Sequence, residues 1–279
     1  MFLNYFYLIL CYNFLYIIRV KVGDIVLLLD IFIIGILFIL GIFVGFLAII
    51  IGLKAPLKQK EYFNTCDYCN EKYKWHELIP IFSFFLSRGE CKHCNNNLSL
   101  WYPFLELLTG LLFAFSFMIY GFSYEMLIMI ILTILSIIIY VSDFKYYIIL
   151  DIPLFICGIL VLILKFIFFG FETFLISLCS GLLIFIFMLI IKYIGDKIFK
   201  QESLGGGDIK LAMFFGFVFG IRLSIVALIL GSFFAFPYAV YFSLTNKQRE
   251  IPFGPFLITG LFVVFVFMEQ INTFLSIIF

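Results

Sequence analysis

Long apolar segments separated by short polar breaks dominate the chain. A hydrocarbon core of about 30 Å needs roughly 20 apolar residues per helix, and most of these segments approach that length. They lie at about residues 25–53, 104–120, 126–142, 148–169, 174–194, 208–221, 224–243 and 256–279. The pattern predicts an all-α, polytopic membrane protein with about eight transmembrane helices.

The composition excludes a water-soluble globular domain. Hydrophobic residues make up 65% of the chain, whereas charged residues make up only 13%. A soluble protein has no single core that could bury so many Phe, Ile and Leu side chains. The net charge of +1 carries little information, because the positions of Lys and Arg determine how a membrane protein is oriented.

Basic residues concentrate on one side of the predicted membrane. If the chain crosses at each apolar segment, fourteen of the 18 Lys and Arg residues fall on the side of the large polar segment 54–102. They are Lys54, Lys58, Lys60, Lys72, Lys74, Arg88, Lys92, Lys145, Lys192, Lys197, Lys200, Lys210, Lys247 and Arg249. The positive-inside rule then places this loop, Asp143 and Asp208 at the cytoplasmic face.

The same pattern suggests how the chain is divided. Residues 1–24 form an apolar extension without the basic start or cleavage site of a secretory signal, so we expect an extra span, an interfacial helix or a mis-started reading frame. Residues 25–53 are the first transmembrane helix and 54–102 are a cytoplasmic loop. Residues 103–279 then form the main transmembrane domain.

The cytoplasmic loop contains two Cys-x-x-Cys pairs separated by 21 residues, Cys66 with Cys69 and Cys91 with Cys94. Two such pairs suit a tetrahedral zinc site with four thiolate ligands. Four protein ligands leave no open position for water, so we expect a structural zinc ion. The alternative is four unliganded thiols, because the reducing cytoplasm disfavours disulfides.

Two carboxylates lie at the edges of apolar segments on the same predicted side. Asp143 ends one segment, and Asp208 follows Gly205, Gly206 and Gly207 at the start of another. Two carboxylates held close together can share a proton and activate water. Ionisable groups at a membrane boundary are costly and usually functional. The sequence therefore predicts a catalytic aspartate pair for peptide-bond hydrolysis.

The residues around Asp208 also have a simpler interpretation, in which Asp208 caps a helix 209–221. Capping does not explain the three glycines, which we expect to adopt backbone conformations closed to other residues and to let a substrate backbone approach closely. Lys210 reaches the headgroups or favours the ionised form of Asp208. Asp151 fits a helix cap or a group that supports the pair.

The roles of Asp143 and Glu269 leave alternatives open. Asp143 could pair with Lys145 at a helix end rather than act in catalysis. Glu269 falls near the middle of the last apolar segment, and the sequence identifies no partner for it.

Features of four parts of the chain, in order over about residues 40 to 258, resemble those of type IV prepilin peptidases, which belong to the GxGD class of intramembrane aspartic proteases. They are Gly41-Ile42-Phe43-Val44-Gly45-Phe46-Leu47, the four-cysteine loop, Asp143 with Asp151-Ile152-Pro153 and Gly205-Gly206-Gly207-Asp208-Ile209-Lys210, and Ile251-Pro252-Phe253-Gly254-Pro255-Phe256. The chain departs from the family at Phe46 and Ala48, where Ser and Asn are frequent. It has Asp-Ile-Pro where Pro-Asp is common.

The resemblance implies that Asp143 and Asp208 are catalytic and that the four cysteines bind zinc. The expected reaction removes a basic leader after Gly from prepilins or pseudopilins at the cytoplasmic face of the bacterial inner membrane. Many family members then methylate the new N-terminus with S-adenosylmethionine, and their products serve type IV pili, type II secretion or DNA uptake. We expect prepilin substrates and membrane lipid as partners, and no nucleic acid.

Three other readings explain the chain less well. A transporter with an aspartate relay predicts inverted repeats and broken helices at mid-membrane, whereas both acids lie at one predicted face and the halves are dissimilar. A zinc-loop membrane anchor leaves the glycine–aspartate segment unexplained. A presenilin-like protease should contain Pro-Ala-Leu in a late helix, and the sequence has none.

Overall fold

A computed structural model describes residues 2–57, 69, 71, 79–245 and 251–278. Its helices are α1 (Phe2–Lys54), α2 (Phe82–Leu86), α3 (Trp101–Tyr120), α4 (Tyr124–Tyr146), α5 (Asp151–Phe199), α6 (Gly206–Phe219), α7 (Ile221–Thr245), α8 (Gly254–Val266) and α9 (Met268–Ile278). A 3₁₀ turn at Ala55–Leu57 follows α1. These described residues contain no β-strand, so the predicted all-α class is confirmed.

Five helices in the described part of the chain are long and apolar enough to cross a membrane, and the bent pair α8–α9 makes up to six. Helices cover all eight predicted segments, but α6 has only 14 residues. At 1.5 Å per residue it is about 21 Å long, shorter than a hydrocarbon core of about 30 Å. The number of eight spans therefore stays a prediction.

The predicted segments 148–169 and 174–194 both lie within α5, which continues to Phe199. The helix is interrupted at Gly170, whose φ of 84° and ψ of −178° are not helical. Such a positive φ is accessible to glycine because it has no Cβ. Gly170 lies in the gap between the two predicted segments, and the break in its backbone divides α5 into two arms that meet there.

The last predicted segment, 256–279, is not one straight helix. α8 ends at Val266, and α9 leaves it at an angle of 80°. Glu269, which the sequence placed near the middle of a span, is an exposed residue of the first turn of α9.

Pairs of facing glycines hold neighbouring helices at close range. They are Gly41 with Gly110 between α1 and α3, Gly181 with Gly216 between α5 and α6, and Gly231 with Gly260 between α7 and α8. A Cβ on any of these would lie within 3 Å of the facing helix. Small residues let transmembrane helices approach in this way when no hydrophobic effect drives them together.

α4 is the central helix and packs against α1, α3, α5 and α8. Its side chains Ile128, Met129, Leu132 and Leu135 are fully buried in the main core. The last turn of α4 and the first turn of α6 come together at one end of this bundle. We call it the aspartate end, because Asp143 and Asp208 both lie there.

Candidate active site

Asp143 lies in the last turn of α4 and is 5% exposed. Tyr147 caps the C-terminal end of α4; it has a left-handed backbone and donates its N–H to the Asp143 backbone oxygen at 2.9 Å. The Asp143 carboxylate is also held from the other end of the sequence. Its Oδ2 accepts the backbone N–H of Gly254, the first residue of α8, at 3.0 Å.

Asp208 is the third residue of α6, and the helix cap is Gly205. The interpretation of Asp208 as a cap of helix 209–221 is therefore wrong. Its carboxylate instead accepts the backbone N–H of Gly205. This is the return half of a capping box, in which the third helical residue binds the N–H of the cap residue. The side chain is partly exposed, so one side of it remains open.

The structure brings the two aspartates together. Their carboxyl groups lie near enough to repel each other when both are ionised. Buried Ile149, in the connection after α4, supports both segments. A Cβ on Gly207 would lie 2.9 Å from Ile149 Cβ, and one on Gly254 would lie 2.9 Å from Ile149 Cδ1. Gly207, next to Asp208, and Gly254, which binds Asp143, thus both pack on the Ile149 side chain.

Two of the three glycines before Asp208, Gly205 and Gly207, are confined by space, and none of the three is required by backbone conformation. None has a positive φ, so the expectation that they adopt conformations closed to other residues is wrong. A Cβ on Gly205 would lie 2.9 Å from Asp208 Oδ2, and Gly207 is confined by Ile149. Gly206 has nothing within 4 Å of its Cβ position, so it is the open member of the three.

Lys210 forms an ion pair with Asp151 across the aspartate end, with Nζ–Oδ distances of 2.7 and 2.8 Å. The cap of α5 is Leu150, so Asp151 is not the cap but the first helical residue. The pair joins the start of α6 to the start of α5. Because both side chains are partly exposed, its stabilisation is small, about 0–1 kcal/mol.

Gly254 and Ile149 are the contact residues that the sequence alone did not reveal. Gly254 was noted only within a family motif, and its partner Asp143 is 111 residues away in the chain. The local signal was Gly254-Pro255, since proline favours the start of a helix. That signal predicts a helix start but not what its N–H binds.

Three of the four predicted zinc ligands converge. The sulfur atoms of Cys69, Cys91 and Cys94 all lie within 4.8 Å of one another, and Cys91 is buried. The Asn95 N–H donates to the Cys91 oxygen at 2.8 Å, which closes a tight turn around the second cysteine pair. Cys66 lies outside the described residues. Three converging thiols fit the donor set of a thiolate zinc site.

The structure is thus an apolar helical bundle with two neighbouring carboxyl groups at one end. The chain matches the Bacterial Peptidase A24 N-terminal domain over residues 39–120 and the Type IV leader peptidase family over residues 130–240. It belongs to the type IV prepilin peptidase family.

Relatives named "Prepilin leader peptidase/N-methyltransferase" occur in several bacteria. That of Bacillus subtilis is 28% identical over 250 residues, covering 86% of this chain and 96% of the relative. That of Myxococcus xanthus is 31% identical, covering 64% and 54%. That of Vibrio cholerae is 28% identical, covering 72% and 80%. No solved structure matches the chain.

Proposed function

We propose that this protein removes leader peptides from type IV prepilins or pseudopilins by hydrolysis, with Asp143 and Asp208 as the catalytic pair. One observation supports this most directly. Carboxyl groups from the end of α4 and the start of α6 lie within range of mutual repulsion. The family assignment and the names of the relatives agree with a leader peptidase.

The chemistry follows from the pair. Two close carboxylates titrate as a unit, so at neutral pH one is ionised and the other protonated. The ionised member takes a proton from water as the oxygen attacks the carbonyl carbon of the leader glycine. The protonated member polarises the carbonyl oxygen, and a proton then reaches the leaving amine. Water is the nucleophile, so no covalent intermediate forms.

Backbone N–H groups orient both carboxylates for this reaction. Gly254 donates to Asp143, and Gly205 donates to Asp208. Hydrogen bonds to an ionised acceptor are stronger than those between neutral groups. Because both donors belong to the backbone, they remain in place while the pair exchanges its proton.

The positive-inside rule supports a cytoplasmic position for the aspartate end. Lys145 lies in the last turn of α4 and Lys197 near the end of α5, while Lys210 lies in α6. Arg222 lies in the first turn of α7, beyond the opposite end of α6. This distribution favours hydrolysis at the inner face of the bacterial cytoplasmic membrane.

Two further assignments belong to this proposal. Cys69, Cys91 and Cys94, together with Cys66, would hold a structural zinc ion that contributes to folding of the loop. N-methylation with S-adenosylmethionine is suggested by the names of the relatives. The described residues do not single out a site for it, and the hydrolytic steps above do not involve it.

The test is co-expression with a candidate prepilin, with leader loss and N-terminal mass measured together. Asp143→Asn and Asp208→Asn should each abolish cleavage while the protein still inserts into the membrane. Asp151→Asn is the matched control, because Asp151 touches Lys210 rather than the pair, and it should retain much more activity. Substantial leader removal by either purified variant of the pair contradicts the catalytic assignment.

A further inference from the structure

The short helix α2 presents an exposed apolar face. Phe82, Phe85 and Leu86 are 69%, 71% and 70% exposed. They are three and four residues apart, so they lie on one side of the helix. A patch of large apolar side chains on a segment that faces water marks a binding surface. Neither the hydrolytic mechanism nor the zinc site uses this face.

The other side of α2 packs on the second cysteine pair. The Phe84 ring lies over Gly89, where a Cβ would lie 3.0 Å from the ring. The Gly89 N–H donates to the Phe84 oxygen at 2.9 Å, and the Gly89 oxygen accepts the Leu98 N–H at 2.7 Å. Residues 82–98, which include Cys91, therefore form one packed piece, and we call it the cysteine unit.

A buried carboxylate fastens the cysteine unit to the helical bundle. Glu106, in the second turn of α3, is 6% exposed, and its Oε2 accepts the Ile81 N–H at 2.7 Å. Ile81 directly precedes α2 and has a φ of 60°. A β-branched residue keeps such a backbone only where its surroundings hold it there. The contact with Glu106 thus fixes where α2 begins.

Glu106 lies within the bundle rather than above it. A Cβ on Gly45 of α1 would lie 3.3 Å from Glu106 Cα, and one on Gly52 would lie 2.9 Å from Val141 Cβ, two residues before Asp143. From Gly45 to Gly52, α1 rises about 10 Å at 1.5 Å per residue. The Glu106 side chain points back toward the start of α3 and recovers part of this depth. α2 therefore begins at about the level of the aspartates.

The surface of α3 shows what surrounds the bundle at this depth. Trp101, the first residue of α3, is 68% exposed, and tryptophan is enriched at membrane interfaces. Phe104 and Leu107 are 52% and 41% exposed on the same helix, which is long and apolar enough to span the membrane. Glu106 lies five residues beyond Trp101, about 7.5 Å farther into the bundle. The attachment point of α2 is therefore on a helix whose outer surface contacts lipid.

We propose that α2 lies in the membrane interface at the aspartate end, with Phe82, Phe85 and Leu86 inserted among the lipid acyl chains. The bilayer is the occupant of this face, because α2 begins at the depth where the outer surface of α3 already contacts lipid. Apolar side chains of interfacial helices are buried in this way. The arrangement holds the cysteine unit against the membrane surface. It requires only that the bundle spans the membrane, and it does not depend on the reaction.

Lipid quenching of a single tryptophan tests the position of α2. Trp75 and Trp101 are replaced by Phe in the full-length protein, and either Phe85→Trp or Asn97→Trp supplies the fluorophore. Asn97 is the matched control, because it is an exposed polar residue of the same cysteine unit. The proteins are reconstituted in phosphatidylcholine and phosphatidylglycerol vesicles with brominated acyl chains. Phe85→Trp should be quenched about twofold or more above Asn97→Trp, since bromine quenches only nearby rings. Equal quenching overturns the proposal.

Variants of Glu106 test the attachment in the Phe85→Trp protein. Glu106→Gln keeps an oxygen that can accept the Ile81 N–H, so the quenching should persist. Glu106→Leu removes that acceptor and should lower the quenching toward the value of Asn97→Trp. Melting temperatures of both variants show that the bundle remains folded. Unchanged quenching in folded Glu106→Leu overturns the role of Glu106 as the anchor.

Photocrosslinking identifies the occupant of the face. A photoreactive residue is placed at position 85 or 97 of the full-length protein in the same vesicles without bromine, with prepilin present. A lipid adduct from position 85 but not from 97 supports the proposal. Adducts from position 85 only with prepilin, with a second copy of the protein or with another part of the chain overturn it. Neither readout measures cleavage, so a failure of the peptidase proposal would leave this result unchanged.

Discussion

The three glycines before Asp208 differ in what surrounds them, so they should respond differently to the same substitution. Gly206→Ala should keep the melting temperature of the wild-type protein, because nothing lies within 4 Å of the added Cβ. Gly207→Ala should lower the stability by about 1–3 kcal/mol, because its Cβ would overlap buried Ile149. Thermal unfolding of the purified variants measures both, and Gly35→Ala in α1, also open within 4 Å, is the control. Equal losses at positions 206 and 207 would contradict the steric explanation.

Gly205→Ala should affect cleavage more than folding. The new Cβ would press on Asp208 Oδ2 at 2.9 Å and displace the carboxylate that the pair requires. We expect kcat to fall by about tenfold or more, because transition-state geometry tolerates little displacement. Gly206→Ala is the control for activity as well as for folding. If Gly206→Ala folds normally but loses cleavage, the substrate backbone approaches at position 206. Gly206 would then be needed to position the substrate, and steric confinement would explain only Gly205 and Gly207.

Residue chemistry explains which parts of the site were visible in the sequence. Asp143 and Asp208 stand out because a carboxylate at the end of an apolar segment has few structural reasons to be there. Gly254 does not stand out, because its role depends on a backbone N–H, which every residue except proline possesses. Ile149 is hidden for a related reason, since one isoleucine among many gives no signal of its contacts.

Among the elements, the cysteine loop makes a prediction that separates a metal site from four free thiols. Purified protein should contain about one zinc ion per chain by elemental analysis, since four thiolates hold one ion. Cys91→Ser should release the metal and speed proteolysis within residues 54–102, because Cys91 is buried in the cluster. Cys179→Ser, at an exposed cysteine of α5 outside the cluster, should do neither. If protein purified without chelators contains no metal, the zinc site is contradicted and the alternative of four unliganded thiols remains.

The sequence predicts that the helices exist more clearly than it predicts where they end or bend. Mean hydropathy identifies the apolar segment 256–279 but cannot detect the 80° bend after Val266, because apolar residues stand on both sides of it. A finer signal was present in α9. Its polar residues are Glu269, Gln270, Asn272, Thr273 and Ser276, and all are exposed; positions 269, 272, 273 and 276 are at helical spacing. This spacing is typical of a helix with a polar side rather than of the middle of a span.

For the whole molecule, the count of crossings depends on α5 and α6. α5 crosses the membrane twice if its arms turn back at Gly170, and α6 must cross in about 21 Å. Hydropathy establishes that these segments avoid water but does not establish which side each end reaches. The asymmetry of basic residues supplies that information only if every predicted crossing is real. An error in the number of transmembrane helices would therefore also change the predicted side of each loop.

Cysteine labelling tests both at once. Single cysteines near Ser123, Glu172 and Arg222, in a background without the native cysteines, should react with an impermeant thiol reagent from outside intact cells. Cysteines near Lys145 and Gln201 should react only after the membrane is opened, because basic residues concentrate on that side.

The position near Arg222 is the most discriminating of these, since it lies just beyond the short α6. Labelling there from outside shows that 14 helical residues suffice to cross, which requires a locally thin bilayer or access of water to the end of α6. If positions beside Asp143 and Asp208 label from opposite sides, the two carboxyl groups cannot act on one peptide bond. The assignment of Asp143 and Asp208 as the catalytic pair would then be wrong.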